Sequence, residues 1–167
     1  EVLKYGILTG GRLLAHLIEK GASFDREYVI PECVKYKAEV VAEDEFDHGR
    51  RATLNLGHTT AHAIEKLSEY RVSHGAAVAV GCAVAARASA FAGFCTEGTV
   101  QTVENAVRAF GLEDKTEYTA SELYGAMISD KKRRGEVMDF VTVRAPGDVT
   151  VTGIPLSRLE KFVSHGI

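Results

Sequence analysis

The spacing of apolar side chains predicts α-helices over most of the chain. Residues 2–20 (VLKYGILTGGRLLAHLIEK) place apolar side chains at roughly helical intervals, with Gly10 and Gly11 in the middle of the run. Because glycine is a poor helix former, this pair predicts a break between two short helices.

Three more helices are predicted from the residues at their ends. Pro31 fits the first turn of a helix that continues through ECVKYKAEVVAEDEF, since a backbone N–H is not needed there. Residues 97–110 are amphipathic and are followed by Gly111, which is typical of a helix end. Ser121 can cap a third helix that runs to Asp130.

The longest apolar run, residues 75–94 (GAAVAVGCAVAARASAFAGF), has the length of a membrane span. Its side chains are mostly small rather than Leu and Ile, and Arg87 would be costly in lipid. We therefore predict a central helix packed closely by neighbouring helices, and no membrane partner.

The hydrophobic period changes near the C-terminal end. The segments VMDFVTV (residues 137–143) and DVTVT (residues 148–152) alternate and are β-branched, with the turn-like RAPG between them. Pro155 then precedes LSRLEKFVSHG, which is predicted to form a closing helix. The predicted fold is mainly α, a helical array with one small β-hairpin near the C-terminus.

Composition and charge narrow the class of protein. A chain of 167 residues with 46% apolar residues can bury one core, so residues 1–167 are interpreted as a single domain. The net charge of −3 gives no support for a nucleic-acid partner. Cys33, Cys82 and Cys95 lack metal or redox spacing, which favours a reduced, cytoplasmic setting. The chain begins EVLKYG without a Met or a signal sequence, and we interpret it as part of a longer chain.

Two histidines lie four residues apart in the segment LNLGHTTAHAIE. On a helix, His58 and His62 would share one face, with Glu65 one further turn along. A metalloprotease pattern would need Glu directly after the first histidine, where this chain has Thr59. A different metal chemistry or two ordinary helix histidines remain. His74, just before the apolar helix, adds a third ring, and few protein ligands are typical of catalytic zinc.

Five segments, in this order and at these separations, resemble the C-terminal domain of the 3-dehydroquinate synthase family: EVLKYG, KAEVVAEDE, RATLNLGHTTAHAIE, HGAAVAVG and DKKRRGEV. The resemblance covers essentially the whole chain. It implies a sugar-phosphate cyclase that uses NAD and a divalent metal to convert 3-deoxy-arabino-heptulosonate 7-phosphate into 3-dehydroquinate, in the shikimate pathway. It also implies that the NAD-binding, Rossmann-like N-terminal domain is absent from this chain, and that the full-length protein is a homodimer.

The family's metal site falls on named residues of this chain. Its carboxylate ligand falls on Glu1 and its two histidine ligands on His58 and His74, which implies a site for zinc, or for cobalt or manganese. Its active-site lysine falls on Lys4. The second histidine of the pair, His62, matches a histidine that faces the substrate rather than the metal.

Further positions match residues around the carboxylate and the phosphate of the family's substrate, two groups that need several cationic donors. The resemblance implies substrate contacts by Lys4, Lys37, Asp47, Arg51, Asn55, His62, Lys131 and Lys132, and catalytic roles for all of these except Asp47 and Lys131. The chain departs from the family pattern at Thr60 and Ala61, where an aromatic residue and Gly are usual. Ala76 stands where many members have Glu, and Asp47 is one methylene shorter than the usual Glu.

The resemblance implies a sequence of steps on one substrate. NAD takes a hydride from C5, phosphate leaves by β-elimination, the ketone is reduced again, and the ring opens and recloses by an intramolecular aldol step. The metal would bind the hydroxyls at C4 and C5 as a Lewis acid.

Three alternatives stay open at this point. Another sugar-phosphate cyclase, such as a 2-deoxy-scyllo-inosose or epi-valiolone synthase, would share the metal site, although Lys37 and Arg51 as carboxylate partners favour dehydroquinate synthase. A metal-dependent alcohol or glycerol dehydrogenase would not need the anion-binding lysines. A helical domain that binds metal without catalysis is the third.

Overall fold

The computed structural model describes residues 1–44, 49–129 and 135–167. Over these ranges the chain is mainly α-helical, with one two-stranded antiparallel sheet, which confirms the predicted fold class. The elements are α1 (Val2–Thr9), α2 (Gly11–Lys20), α3 (Arg26–Glu43), α4 (His58–Leu67), α5 (His74–Phe91), α6 (Glu97–Ala109), α7 (Ala120–Ile128), β1 (Val137–Ala145), β2 (Asp148–Pro155) and α8 (Leu156–Ser164).

Helix α5 lies at the centre of the domain, as predicted for the apolar run. Helices α4, α6 and α8 and strand β1 all contact it. By length and composition α5 could cross a membrane, but 67% of the stretch is buried inside the domain, as expected for a core helix. The charge of Arg87 is compensated there, because its guanidinium contacts Glu104 at 2.7 Å and Asp114 at 3.2 Å.

The predicted break between α1 and α2 is confirmed, and it also positions the hairpin. Gly10 and Gly11 adopt φ angles of 63° and 52°, which L side chains rarely adopt. A Cβ on Gly10 would lie 2.7 Å from the Pro146 carbonyl oxygen in the β1–β2 turn. The Gly147 N–H in the same turn donates to the Ile7 carbonyl at 2.9 Å, so the turn docks onto the end of α1.

Two predicted helix starts were wrong. Helix α3 begins at Arg26, because the Asp25 side chain accepts hydrogen bonds from two backbone N–H groups of the first turn; Pro31 lies inside the helix. The carbonyl four residues before Pro31 belongs to exposed Glu27, where water can replace the missing donor. Helix α7 is capped by Thr119 in a capping box with Glu122, rather than by Ser121.

The helix predicted over residues 97–110, the hairpin and the closing helix are confirmed as α6, β1–β2 and α8. The hairpin packs on the core through Phe140, whose ring meets that of Phe162 in α8 edge to face at 5.2 Å. The Val143 N–H donates to the buried Ser89 hydroxyl of α5 at 3.0 Å. Both contacts hold the sheet against the central helix.

Helices α4 and α5 approach each other at two glycines. Gly57, directly before α4, has a φ of 78°, and Gly81 lies in α5. A Cβ on Gly81 would lie only 2.1 Å from the Gly57 carbonyl oxygen. Because the Gly57 oxygen belongs to the backbone and a Cβ is fixed to its Cα, neither atom can rotate away, and the two helices can cross this closely only while Gly81 has no side chain.

We predict that Gly81→Ala forces α4 and α5 apart and destabilises the chain by about 1–3 kcal/mol, the usual cost of overpacking. Urea unfolding would measure the loss. Gly125→Ala in α7 is the matched control, because nothing lies within 4 Å of its added Cβ. The control should be neutral or slightly stabilising, since alanine favours helix. Equal stability of the two variants would contradict the close helix contact.

Candidate metal centre and anion pocket

The side chains of Glu1, His58 and His74 come together although they are far apart in the sequence. One ligand atom of each lies within 4.8 Å of the other two. Glu1 Oε1 is 3.2 Å from His74 Nε2 and 3.7 Å from His58 Nε2. Two donors bound at about 2.0–2.1 Å to a tetrahedral zinc ion are separated by roughly 3.3 Å, so this arrangement fits a divalent metal.

Each of these three residues stands at the beginning of a helix. Glu1 directly precedes α1, and His58 and His74 are the first residues of α4 and α5. Helix N-termini carry partial positive charge, which favours nearby anions and opposes a bare cation. The negative charge of Glu1 offsets this effect for a cation bound between the three side chains.

The nitrogen of each histidine that faces away from Glu1 has an acceptor. His58 Nδ1 lies 3.1 Å from the Leu56 carbonyl oxygen, and His74 Nδ1 lies 3.1 Å from Glu65 Oε1. A neutral imidazole that donates from Nδ1 has its lone pair on Nε2. Both rings therefore present Nε2 as a ligand on the side where Glu1 lies.

Lys4 holds the carboxylate ligand in place. Its side chain is 5% exposed, and its Nζ lies 2.8 Å from Glu1 Oε2, while Oε1 faces the histidines. Burial alone would raise the pKa of the Glu1 carboxyl, but the hydrogen bond and charge of Lys4 bring that pKa below its usual value. Burial lowers the pKa of His58, which favours the neutral ring that binds metals.

His62 lies close to the rings of His58 and His74 but is not part of the ligand group. Its ring centroid lies 5.6 Å from that of His58 and 6.4 Å from that of His74. Among the described residues, the group able to hold a metal contains Glu1, His58 and His74. The Cys82 thiol lies outside this group, and burial raises its pKa to about 12.

A cavity of about 380 Å³ opens beside the ligand group, and its lining is rich in cationic side chains. Its polar lining consists of Glu1, Lys4, Lys37, Arg51, Asn55 and His58, with Tyr5. Arg51 and Asn55 belong to a short 3-10 helix, Arg50–Asn55. The Asp44 carboxylate, just after α3, fixes the start of that helix by accepting the N–H groups of Gly49 at 2.8 Å and Arg51 at 2.9 Å.

His62 lines a second cavity, of about 430 Å³, together with Asn55 and His58. These two residues line both cavities. The second cavity also contains Lys66, one turn after His62 on α4, and Asp139 from β1. The matched substrate residues that the structure describes thus line two adjacent cavities, which have Asn55 and His58 in common.

Three of the matched residues, Asp47, Lys131 and Lys132, lie outside the described residues. The structure also brings in residues to which the sequence analysis gave no role. Glu65 contacts His74, and Lys66 and Asp139 line the second cavity. Helical spacing from His62 could have indicated Lys66, but nothing in the spacing places Asp139 near the histidines.

A comparison with models of protein families assigns this chain to a family. Residues 1–133 match the model of the 3-dehydroquinate synthase C-terminal family. The chain belongs to this family. The match includes the ligand group and every residue that lines the cationic cavity.

Curated relatives in this family support the assignment. The 3-dehydroquinate synthase of Streptococcus pneumoniae is 34% identical over 170 residues, which cover 98% of this chain and 48% of the relative. That of Streptococcus mutans is 33% identical with the same coverage. The chain therefore spans about half the length of the curated relatives it matches.

Solved structures show the same fold in related cyclases. A 2-deoxy-scyllo-inosose synthase complexed with carbaglucose-6-phosphate, NAD+ and Co2+ superposes with a TM-score of 0.81 at 19% identity, covering 99% of this chain and 49% of that one. A 2-epi-5-epi-valiolone synthase from Streptomyces hygroscopicus with NAD+ and Zn2+ bound has a TM-score of 0.81 at 20% identity, covering 97% and 48%. At these identities the likeness concerns the fold.

We predict that the chain binds one divalent ion through Glu1, His58 and His74. The double variant His58→Ala, His74→Ala should lower the zinc content clearly below one ion per chain, because two of three ligands are lost. Zinc would be measured by elemental analysis after gel filtration. His165→Ala, an exposed histidine of the C-terminal segment, serves as control and should bind zinc like the unmodified chain. An unchanged zinc content in the double variant would remove the assignment.

Proposed function

We propose that this chain is the metal- and substrate-binding domain of a 3-dehydroquinate synthase. The full enzyme would convert 3-deoxy-arabino-heptulosonate 7-phosphate into 3-dehydroquinate and phosphate, a lyase step of the shikimate pathway. The observation that carries the proposal is a Glu-His-His ligand group at the edge of a cavity lined by Lys4, Lys37 and Arg51. Family membership supports the same reaction.

The proposed metal is zinc, with cobalt or manganese as substitutes, since one carboxylate and two imidazoles suit all three ions. When bound, the ion would supply Lewis-acid chemistry to a substrate hydroxyl. Related cyclases of the same fold were solved with Co2+ and Zn2+, which supports a divalent ion. Glu1, His58 and His74 would hold it.

The two cavities support separate roles for the substrate's two anionic groups. Lys37 and Arg51, in the first cavity, would bind the carboxylate, with Lys4 beside Glu1 closer to the reacting carbons. Asn55 and His62 would bind the phosphate from the wall between the cavities and from the second cavity. We propose Lys132, Lys131 and Asp47 as further substrate-binding residues from the family pattern alone.

The proposal also includes a second domain, which this chain does not provide. We propose that NAD is bound by an N-terminal domain in a longer protein, since the chain matches about half of its curated relatives. The two solved synthases described above, which are also about twice as long as this chain, contain NAD+, and this supports a separate NAD-binding domain. We further propose a cytoplasmic homodimer, as the family resemblance implies.

Another sugar-phosphate cyclase is the second candidate, because the solved neighbours with this fold act in that class. The cationic pair Lys37 and Arg51 distinguishes the two, since a hexose phosphate has no carboxylate for them to bind. The same pair argues against an alcohol or glycerol dehydrogenase, whose substrate is uncharged. A domain that binds metal without catalysis would need no such pocket.

The role of Arg51 can be tested in the protein that joins this chain to its NAD-binding domain. Arg51→Met should lower kcat/KM for the heptulosonate phosphate about 10–100-fold, because a hydrogen bond to a charged group contributes about 1.5–3 kcal/mol. Arg12→Met, an exposed arginine of α2, is the matched control and should leave kcat/KM unchanged. If Arg51→Met retained full activity with the heptulosonate phosphate, or if glucose 6-phosphate were the better substrate, the carboxylate assignment would be wrong.

Because NAD is proposed to bind a separate domain, we predict that this chain alone releases no phosphate from the heptulosonate phosphate, even with NAD and zinc present. Oxidation at C5 requires bound NAD, and without the resulting ketone the proton lost in the elimination is not acidic. Phosphate release would be followed with a colorimetric assay, with the protein that includes the NAD-binding domain as the positive control. Metal-dependent turnover by the isolated chain would overturn this division.

A further inference from the structure

We propose that Glu65 is a positioning residue for the metal centre, which acts by orienting the ring of His74. Its carboxylate accepts the Nδ1–H of His74 and thereby directs Nε2 towards Glu1 and the proposed ion. This inference rests on the proposed metal site and concerns how tightly that site binds its ion.

The two histidine ligands are held in different ways. The His58 ring is 15% exposed, and its Nδ1 lies 3.1 Å from the Leu56 carbonyl, an acceptor on the backbone two residues away. The His74 ring is 45% exposed, and its Nδ1 lies 3.1 Å from Glu65 Oε1, on a different helix. The more exposed ligand therefore depends on a side chain for its orientation.

Glu65 is well placed to hold that ring still. Its side chain is only 14% exposed, and it lies in the last turn of α4, seven residues after His58. Helix α4 thus supplies one ligand with its first residue and orients another with its last turn. These two positions are about 10.5 Å apart along the helix axis, so both ends of α4 take part in holding the histidine ligands.

The turn between α4 and α5 brings His74 back to Glu65. Glu69 and Tyr70 both have positive φ angles, of 51° and 60°, so the chain reverses sharply after α4. The Tyr70 N–H donates to the Glu65 carbonyl oxygen at 2.7 Å, which fixes this turn on the same residue. Substitution of the Glu65 side chain leaves this backbone hydrogen bond available.

A carboxylate on the far nitrogen of a metal-bound histidine has two physical effects. It selects the ring tautomer with its lone pair on Nε2, and its negative charge makes that nitrogen a stronger donor to a cation. Removal of such a partner typically weakens metal binding about 10–100-fold. The same effect is expected here, because His74 has no other side-chain acceptor for Nδ1 among the contacts in the described part of the chain.

Zinc affinity of this chain, measured by competition with a chromogenic chelator, provides the test. Glu65→Gln, which keeps the shape and loses the charge, should weaken zinc binding about 10-fold, and Glu65→Ala should weaken it up to about 100-fold. Glu69→Gln is the matched control, since it removes the charge of an exposed neighbour, and it should bind zinc like the unmodified chain. Circular dichroism would verify that each variant is folded, and the visible spectrum of bound Co2+ should change in the Glu65 variants alone.

A double-mutant cycle separates positioning from a general structural role. If Glu65 acts through His74, Glu65→Ala should have no further effect on zinc affinity in a chain that already carries His74→Ala. An equal loss in both backgrounds would overturn the inference, and so would a Glu65→Ala variant with the affinity of the unmodified chain. In either case a weakened His74→Ala variant would leave the proposed metal site standing, whereas a failure of the unmodified chain to bind zinc would refute both.

Discussion

The close contact between the backbones of Gly57 and Gly81 is the constraint on which the site depends. It sets how near α4 and α5 can lie, because a Cβ on Gly81 would be 2.1 Å from the Gly57 oxygen. His58 follows Gly57 directly, and His74 lies about two helical turns before Gly81 on α5. Any separation of these helices would move one imidazole away from the other, so the packing of the core determines the geometry of the candidate metal centre.

Electrostatics explain why a chain with a net charge of −3 can present a cationic pocket. Three helices begin at the ligand group, and their N-termini add partial positive charge to that of Lys4, Lys37 and Arg51. These positive charges attract anions and repel metal ions. The Glu1 carboxylate resolves the conflict, since its two oxygens face Lys4 on one side and the histidines on the other. The same pocket can therefore hold a cation and an anion.

Much of the fold could be predicted from local sequence signals, because those signals act over a few residues. The break at Gly10 and Gly11, the buried apolar helix and the hairpin are confirmed. The start of α3 was predicted wrongly, since a proline is also tolerated inside a helix when its lost hydrogen bond faces solvent and a better cap, Asp25, stands upstream. The start of α7 was missed for a similar reason: two hydroxyl residues compete, and the capping box with Glu122 favours Thr119.

The sequence by itself determined which residue types are available for chemistry: a pair of histidines at helical spacing, a third histidine before an apolar helix, and a set of lysines and arginines. The tertiary structure decided which of these residues lie together. It places His58 with Glu1 and His74, and it places His62 beside a second cavity. It also joins Glu65 to His74 across the turn after α4. Helical spacing defines a face but not what lies opposite that face, and the opposing groups are brought there by the crossing of α4 and α5 and by the chain reversal at Glu69 and Tyr70.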